Sequence, residues 1–262
     1  MMENLDLREQ VIDAFDGLDQ LPTIENATLR SMTQRTWLGR MVNEYGSSFV
    51  FSQFADQCEM HAEKLQISEK AIDRLREFAA EERRHGILCG AVVDAFGGNA
   101  RAPSLQSEPF PLHEETSPLE GILRNLLSIC CLSETVAVAL IAAEREEMPN
   151  GTLRNLLTEI WADECGHAHF GWRHLSSWMP NDADLKRRLG DYLTIAFGHL
   201  EAHELSHLPL ASNPPPEGAQ YGLCAGLEAR ALFYATVEGI IIPNLEQYGI
   251  PADWAWKNRC TE

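Results

Sequence analysis

Two short stretches of the chain, EERRH and DECGH, place a histidine three residues after a glutamate: Glu82 with His85 and Glu164 with His167. On a helix such a pair shares one face, so each stretch presents a carboxylate and an imidazole to the same neighbour. A third glutamate stands in less hospitable surroundings. Glu134 lies within CCLSETVAVALIAA, residues 130–143, and it is the sole charge between Leu126 and Ala143. A helix apolar nearly all round is buried over most of its surface. A lone carboxylate taken out of water costs several kcal/mol unless it takes up a proton or finds a cation. Glu134 therefore needs a metal ion, an arginine or a proton.

The elements that must position these residues are helices. Helical periodicity runs through most of the chain and period-two β patterns are nearly absent, so an all-α fold is expected. A first helix from about Thr33 to about His61 carries apolar or small residues at 37, 41, 48, 51, 55, 58 and 62, and Glu44 completes that seam. Ser68 is the expected N-cap of a second helix reaching about Phe96, stopped by Gly97 and Gly98. Its seam, at 72, 75, 79, 82, 86, 89, 93 and 96, contains Glu82. The stretch GGNARAPSLQSEPFPLHEETSP reads as a long crossover connection because of its prolines and polar residues. A third helix then bears 119, 123, 126, 130, 134, 137 and 141 on one face. A fourth, opened by Asn150, Gly151 and Thr152, bears 153, 157, 160, 164, 167, 171, 175 and 178.

Four consecutive helices thus each put a glutamate on the seam that should face a core. Spacing supports a shared level. Glu134 precedes Met148 by 14 residues and Glu164 follows Thr152 by 12, so both stand about 18 to 21 Å from the turn between them at about 1.5 Å per residue. Glu82 is 14 residues beyond Ser68 and Glu44 is 16 before Met60, which agrees if the first helix ends near Met60. Glu59 is the rival ligand on that helix, but it falls off the seam.

Composition narrows the function classes. With 262 residues and 45% hydrophobic content the chain can bury a sizeable core without staples, and we expect a single domain over 1–262. The seven cysteines, at 58, 89, 130, 131, 165, 224 and 260, include no C-x-x-C pair, which points to reduced thiols and a cytoplasmic setting rather than a disulfide framework or a thiolate metal site. MMENLDLREQ lacks a signal-like apolar region, and no uninterrupted apolar run reaches about 18 residues, so a soluble protein is expected. A formal charge of −18 disfavours nucleic acid and anionic membranes as partners.

The order Glu44, Glu82-x-x-His85, Glu134, Glu164-x-x-His167 resembles the ligand pattern of the ferritin-like superfamily of non-haem di-iron carboxylate proteins. The likeness covers about residues 33–180. It implies a four-helix bundle with a long crossover between its second and third helices, and six ligands: Glu44, Glu82, His85, Glu134, Glu164 and His167. Four glutamates would balance the charge of two divalent ions while neutral imidazoles add donors without charge. Oxygen-rich ligation with some nitrogen suits iron, with manganese as the other fitting metal. Dioxygen is the co-substrate that the family implies. Asp163, and less clearly Glu81, occupy positions from which the resemblance places an outer carboxylate beside a ligand histidine.

Beyond Pro180 the chain continues with helical patterns over 183–207 and 221–248, split by SNPPPEG. This C-terminal addition of about 181–262 exceeds what iron storage needs. It is expected to close a small-molecule pocket or form a homodimer face. The sequence reading is an enzyme that hydroxylates, N-oxygenates or desaturates a small organic substrate in specialised metabolism. The alternative is iron handling or peroxide scavenging without such a substrate. No Gly-rich nucleotide fingerprint is present, so an external reductase or ferredoxin must supply electrons. Ile160 stands where arylamine N-oxygenases of the superfamily carry an added histidine, which argues against that activity. No buried tyrosine suggests a radical site. Ser47, Ser48, Phe51, Val138 and Trp161 fall near the ligands as pocket lining or core filler. Cys165 reads as packing, and His199, His203 and His207 as a polar helix stripe.

Overall fold

The computed structural model describes residues 4–21, 23–103, 109–208 and 210–260. The fold is all-α, consistent with a helical bundle; among the described residues the sole strand pairing joins β1, Leu5–Asp6, antiparallel to β2, Arg101–Ala102. The chain forms two compact units that interleave in sequence. The first comprises Met1–Phe110, Glu144–Ile160 and Pro214–Cys224, and the second Pro111–Ala143, Trp161–Asn213 and Ala225–Glu262.

In the first unit α1, Ala27–Met60, packs along α3, Glu69–Ala95, with the single turn α2, Ala62–Leu65, between them. The second helix begins where its sequence says it should: Ser68 Oγ accepts from the Ala71 amide. Its C-terminus is closed by Gly97 at φ 73, a left-handed conformation that favours glycine. The first helix starts earlier than the apolar seam indicates. Asn26 Oδ1 accepts from the amides of Thr28 and Leu29, and this cap carries the polar turn ATLRSM into the helix although it lacks a hydrophobic stripe. Between the two helices Trp37, Met41, Phe51, Phe54, Leu75 and Phe78 are fully buried, each contributing about 1.5–3 kcal/mol of transfer free energy. Trp37 Nε1 donates to the Tyr221 carbonyl at 2.8 Å, tying the segment 214–224 onto α1. The connection from Phe96 to Ser117 includes β2, and its residues 104–108 lie outside those described.

The second unit is built on α4, Pro118–Leu126, capped by Ser117 with Pro118 in its first turn. It runs through a π-helical segment, Leu127–Ser133, into α5, Glu134–Glu147. That widened turn has no signature in the apolar periodicity. α6, Thr152–Trp178, opens after Gly151 as its sequence predicts. α7, Ala183–His207, is capped by Asp182 and matches the expected span. The last pattern resolves into α8, Gly226–Thr236, a second π-helical segment, Val237–Ile241, and α9, Ile242–Gln247, followed by α10, Ala252–Lys257. Of the residues beyond Pro180, 214–224 belong to the first unit and the rest to the second. By length and composition alone the continuous run Pro118–Glu147 could cross a membrane, with a mean hydropathy of 2.2; 44% of its most apolar window is buried within the protein.

Candidate metal centre

Each unit gathers one set of three predicted ligands. In the first, Glu44 projects from α1 between the buried Met41 and Ser48, while Glu82 and His85 are 2% and 0% exposed on α3. His85 Nδ1 lies 3.5 Å from Glu44 Oε2. One donor atom from each of Glu44, Glu82 and His85 falls within 4.8 Å of the others. The second set is more enclosed. Glu134 follows directly on the π-helical segment, and His167 on α6 turns Nδ1 toward Glu164 Oε2 at 3.0 Å and Glu134 Oε2 at 3.6 Å. Donors of Glu134, Glu164 and His167 again lie within 4.8 Å of one another.

These separations fit a common cation. With metal–donor bonds of about 2.1 Å, adjacent ligands of an octahedral ion stand about 3.0 Å apart and opposite ones about 4.2 Å. The contacts of 3.0, 3.5 and 3.6 Å fall between these values. The carboxylates and imidazoles, all buried except the partly exposed Glu44, are groups that could hold a metal ion. Oxygen donors in the majority, with imidazole nitrogen and no thiolate, suit iron or manganese better than a structural zinc.

The surroundings hold the ligand-bearing turns in place. Trp172 Nε1 donates to Thr135 Oγ1 at 3.0 Å, anchoring the residue beside Glu134. Arg83, next to Glu82, lies 5.5 Å over the Tyr45 ring, next to Glu44. Ser48 Oγ donates to the Tyr45 carbonyl at 2.6 Å, and Phe51 is an edge-on partner of Phe78 at 5.5 Å, so these two members of the expected lining serve helix packing. Ser47, Val138 and Trp161 are partly exposed. Ile160 is buried at 1% exposure, a core position without a donor.

Several sequence candidates go elsewhere. Glu59 is exposed and accepts from Arg76 at 2.6 Å, leaving Glu44 as the α1 carboxylate beside His85. Glu81 accepts from Arg74 at 2.9 Å on its own helix. His203 and His207 meet edge to face at 4.7 Å. Among the described residues, the donor groups able to hold a metal include none of His199, His203 and His207. Cys165 is partly exposed, and no disulfide forms among the described residues.

Two buried glutamates escaped the sequence reading. Glu120, 3% exposed, accepts from Arg124 and Arg188, each at 2.8 Å. Glu201, 8% exposed, is gripped by Arg259 through Nε at 2.6 Å and Nη2 at 2.9 Å, with the Tyr234 hydroxyl donating at 2.8 Å. The Arg259 guanidinium holds the Glu201 carboxyl below its usual range. Arg124, four residues after Glu120, was the one local signal that could have revealed the first of them. No family profile, curated protein or solved structure matches this chain.

Proposed function

We propose that each triad holds one metal ion, two per chain, in a ferritin-like helical protein, and that the protein is an oxygen-activating oxidoreductase acting on a small organic substrate. The observation that carries this reading is the repetition of one donor set: a buried Glu-x-x-His pair with a further glutamate on a neighbouring helical turn, once in each unit. A single triad would serve many purposes; two of the same composition match two ions of the same kind. When bound, a pair of ferrous ions supplies two electrons to dioxygen. The chain's own residues do the rest: the four glutamates neutralise the ions, and His85 and His167 add neutral donors. Reduction for the next cycle is assigned to an external reductase or ferredoxin.

The test is oxygen uptake by full-length protein loaded anaerobically with ferrous iron. An oxygenase without substrate or reductant consumes oxygen in proportion to its bound iron and then stops. With a reductant and a matching substrate, uptake continues. Repeated oxidation of added ferrous iron into hundreds of ferric ions held in a large assembly would instead establish iron storage.

A further inference from the structure

Each triad stands beside a place where two helix backbones come closer than any side chain allows. Gly86 follows His85 directly. A methyl group there would lie 2.9 Å from Tyr45 Cβ, 3.0 Å from the Tyr45 amide nitrogen and 3.2 Å from the Met41 carbonyl, and Met41 and Tyr45 bracket Glu44. In the second unit a methyl on Gly171 would meet Cys130 at Cβ, C and O, at 2.6, 2.8 and 3.0 Å. Gly171 is one helical turn after His167, and Cys130 is one turn before Glu134, inside the π-helical segment. We infer that Gly86 and Gly171 are positioning residues that set the spacing between the helices bearing the ligands, and hence the reach of the donors to their ions; this rests on the di-metal reading.

Magnitudes separate this role from ordinary packing. Carbon atoms in comfortable contact are about 3.5–4.0 Å apart, so an added methyl requires a shift of about 0.5 to 1 Å. Most of the opposing atoms belong to the backbone, which cannot swing aside as a side-chain end can. Ligand distances tolerate about 0.2 Å, less than the displacement the methyl imposes. Gly90, one turn beyond Gly86, differs: a methyl there would meet only side-chain atoms, Val11 Cγ1 at 3.0 Å, Met41 Sδ at 3.1 Å and Ala100 Cβ at 3.4 Å, and no backbone atom of a ligand-bearing helix. Gly39, also on α1, has nothing within 4 Å of such a methyl.

The experiment compares full-length wild type with Gly86→Ala, Gly171→Ala, Gly90→Ala and Gly39→Ala. Apo stability is measured by denaturant unfolding, and anaerobic titrations are made with Fe2+ alone and with Mn2+ alone. The expected result is a loss of about tenfold or more in Fe2+ affinity for Gly86→Ala and Gly171→Ala, as for disturbed ligand support. The preference should also shift toward the larger Mn2+, which a purely structural role does not produce. Gly90→Ala should change affinity little and Gly39→Ala not at all. A folded Gly86→Ala or Gly171→Ala with wild-type affinity and ion preference overturns the inference. Should Gly171→Ala fail to fold, Gly171→Ala combined with Cys130→Gly relieves the Cβ contact while leaving those to the Cys130 backbone, and should bind Fe2+ with intermediate affinity; wild-type affinity there also overturns it. Wild-type protein that binds neither ion refutes the di-metal reading itself, an outcome distinct from both.

Discussion

Glu134 and Glu201 are equally buried, at 7% and 8% exposure, yet their surroundings have little in common. Glu201 sits in a clasp of Arg259 and Tyr234 that closes the C-terminal segment onto α7. Glu134 faces His167, whose other carboxylate neighbour is Glu164. Glu204, one turn beyond Glu201, shows a third outcome: burial pushes its carboxyl up to about 7. A carboxylate withdrawn from water can thus be met by a guanidinium, by donor groups that could hold a metal ion with it, or by a proton. Its position on an apolar seam does not say which; the groups that face it do.

The comparison breaks most directly at the ligands. His167→Ala should lower ferrous affinity by about a hundredfold or more, on the order of 3 kcal/mol of binding, in an anaerobic titration. Glu201→Gln should leave that affinity unchanged. If the two substitutions weakened metal binding alike, the distinction between clasp and centre would be lost.

Next in size is the clasp itself. Arg259→Met strands a buried carboxylate, and breaking such a pair costs about 3–5 kcal/mol in the interior. With the Arg259 side chain 21% exposed, about 2–3 kcal/mol of unfolding free energy should be lost while metal stoichiometry stays fixed. A drop below about 0.5 kcal/mol would show the pair to be as weak as a surface bridge.

The proton-bearing carboxyl is tested by pH. The raised folded value at Glu204 gives stability fully present below the unfolded value of about 4.3 and lost as pH rises through about 7. Glu204→Gln should therefore stabilise the protein by about 1–3 kcal/mol at pH 8 and leave it unchanged near pH 4. His174 works in the opposite direction: burial, then Arg173, lowers its imidazole to about 4, so its contribution is present above about 6.5 and lost as pH falls through 4. A flat difference between Glu204→Gln and wild type across this range would rule the proton out.

The smallest effect sharpens the reading of Glu134. In metal-free protein Glu134→Gln should leave unfolding free energy within about 0.5 kcal/mol of wild type or raise it, because an amide is easier to bury than a charge. A loss of several kcal/mol would place Glu134 in the same class as Glu201.

How much of this was legible in the sequence follows from range. Ser68 and Gly97 act on their own turns, and both helix ends were read correctly from composition. The Glu-x-x-His pairs lie within one turn as well, and Glu44 was chosen over Glu59 by seam position alone. Asn26 was overlooked because the turn it starts has no apolar stripe, and the π-helical segment before Glu134 because a widened turn leaves the same letters in the same order. Glu120 and Glu201 were missed for a different reason: Arg188 and Arg259 are 68 and 58 residues away from them. Which cation reaches a buried carboxylate is a property of tertiary structure.

The central claim is that the Glu44, Glu82, His85 and Glu134, Glu164, His167 triads hold two ions. It is tested most directly by anaerobic reconstitution of the full-length apo protein with ferrous iron, removal of excess, and determination of iron per folded chain. The account predicts two ions per chain, falling in the His167→Ala variant. A folded wild-type protein that retains no iron, or only one ion that persists in His167→Ala, would contradict it.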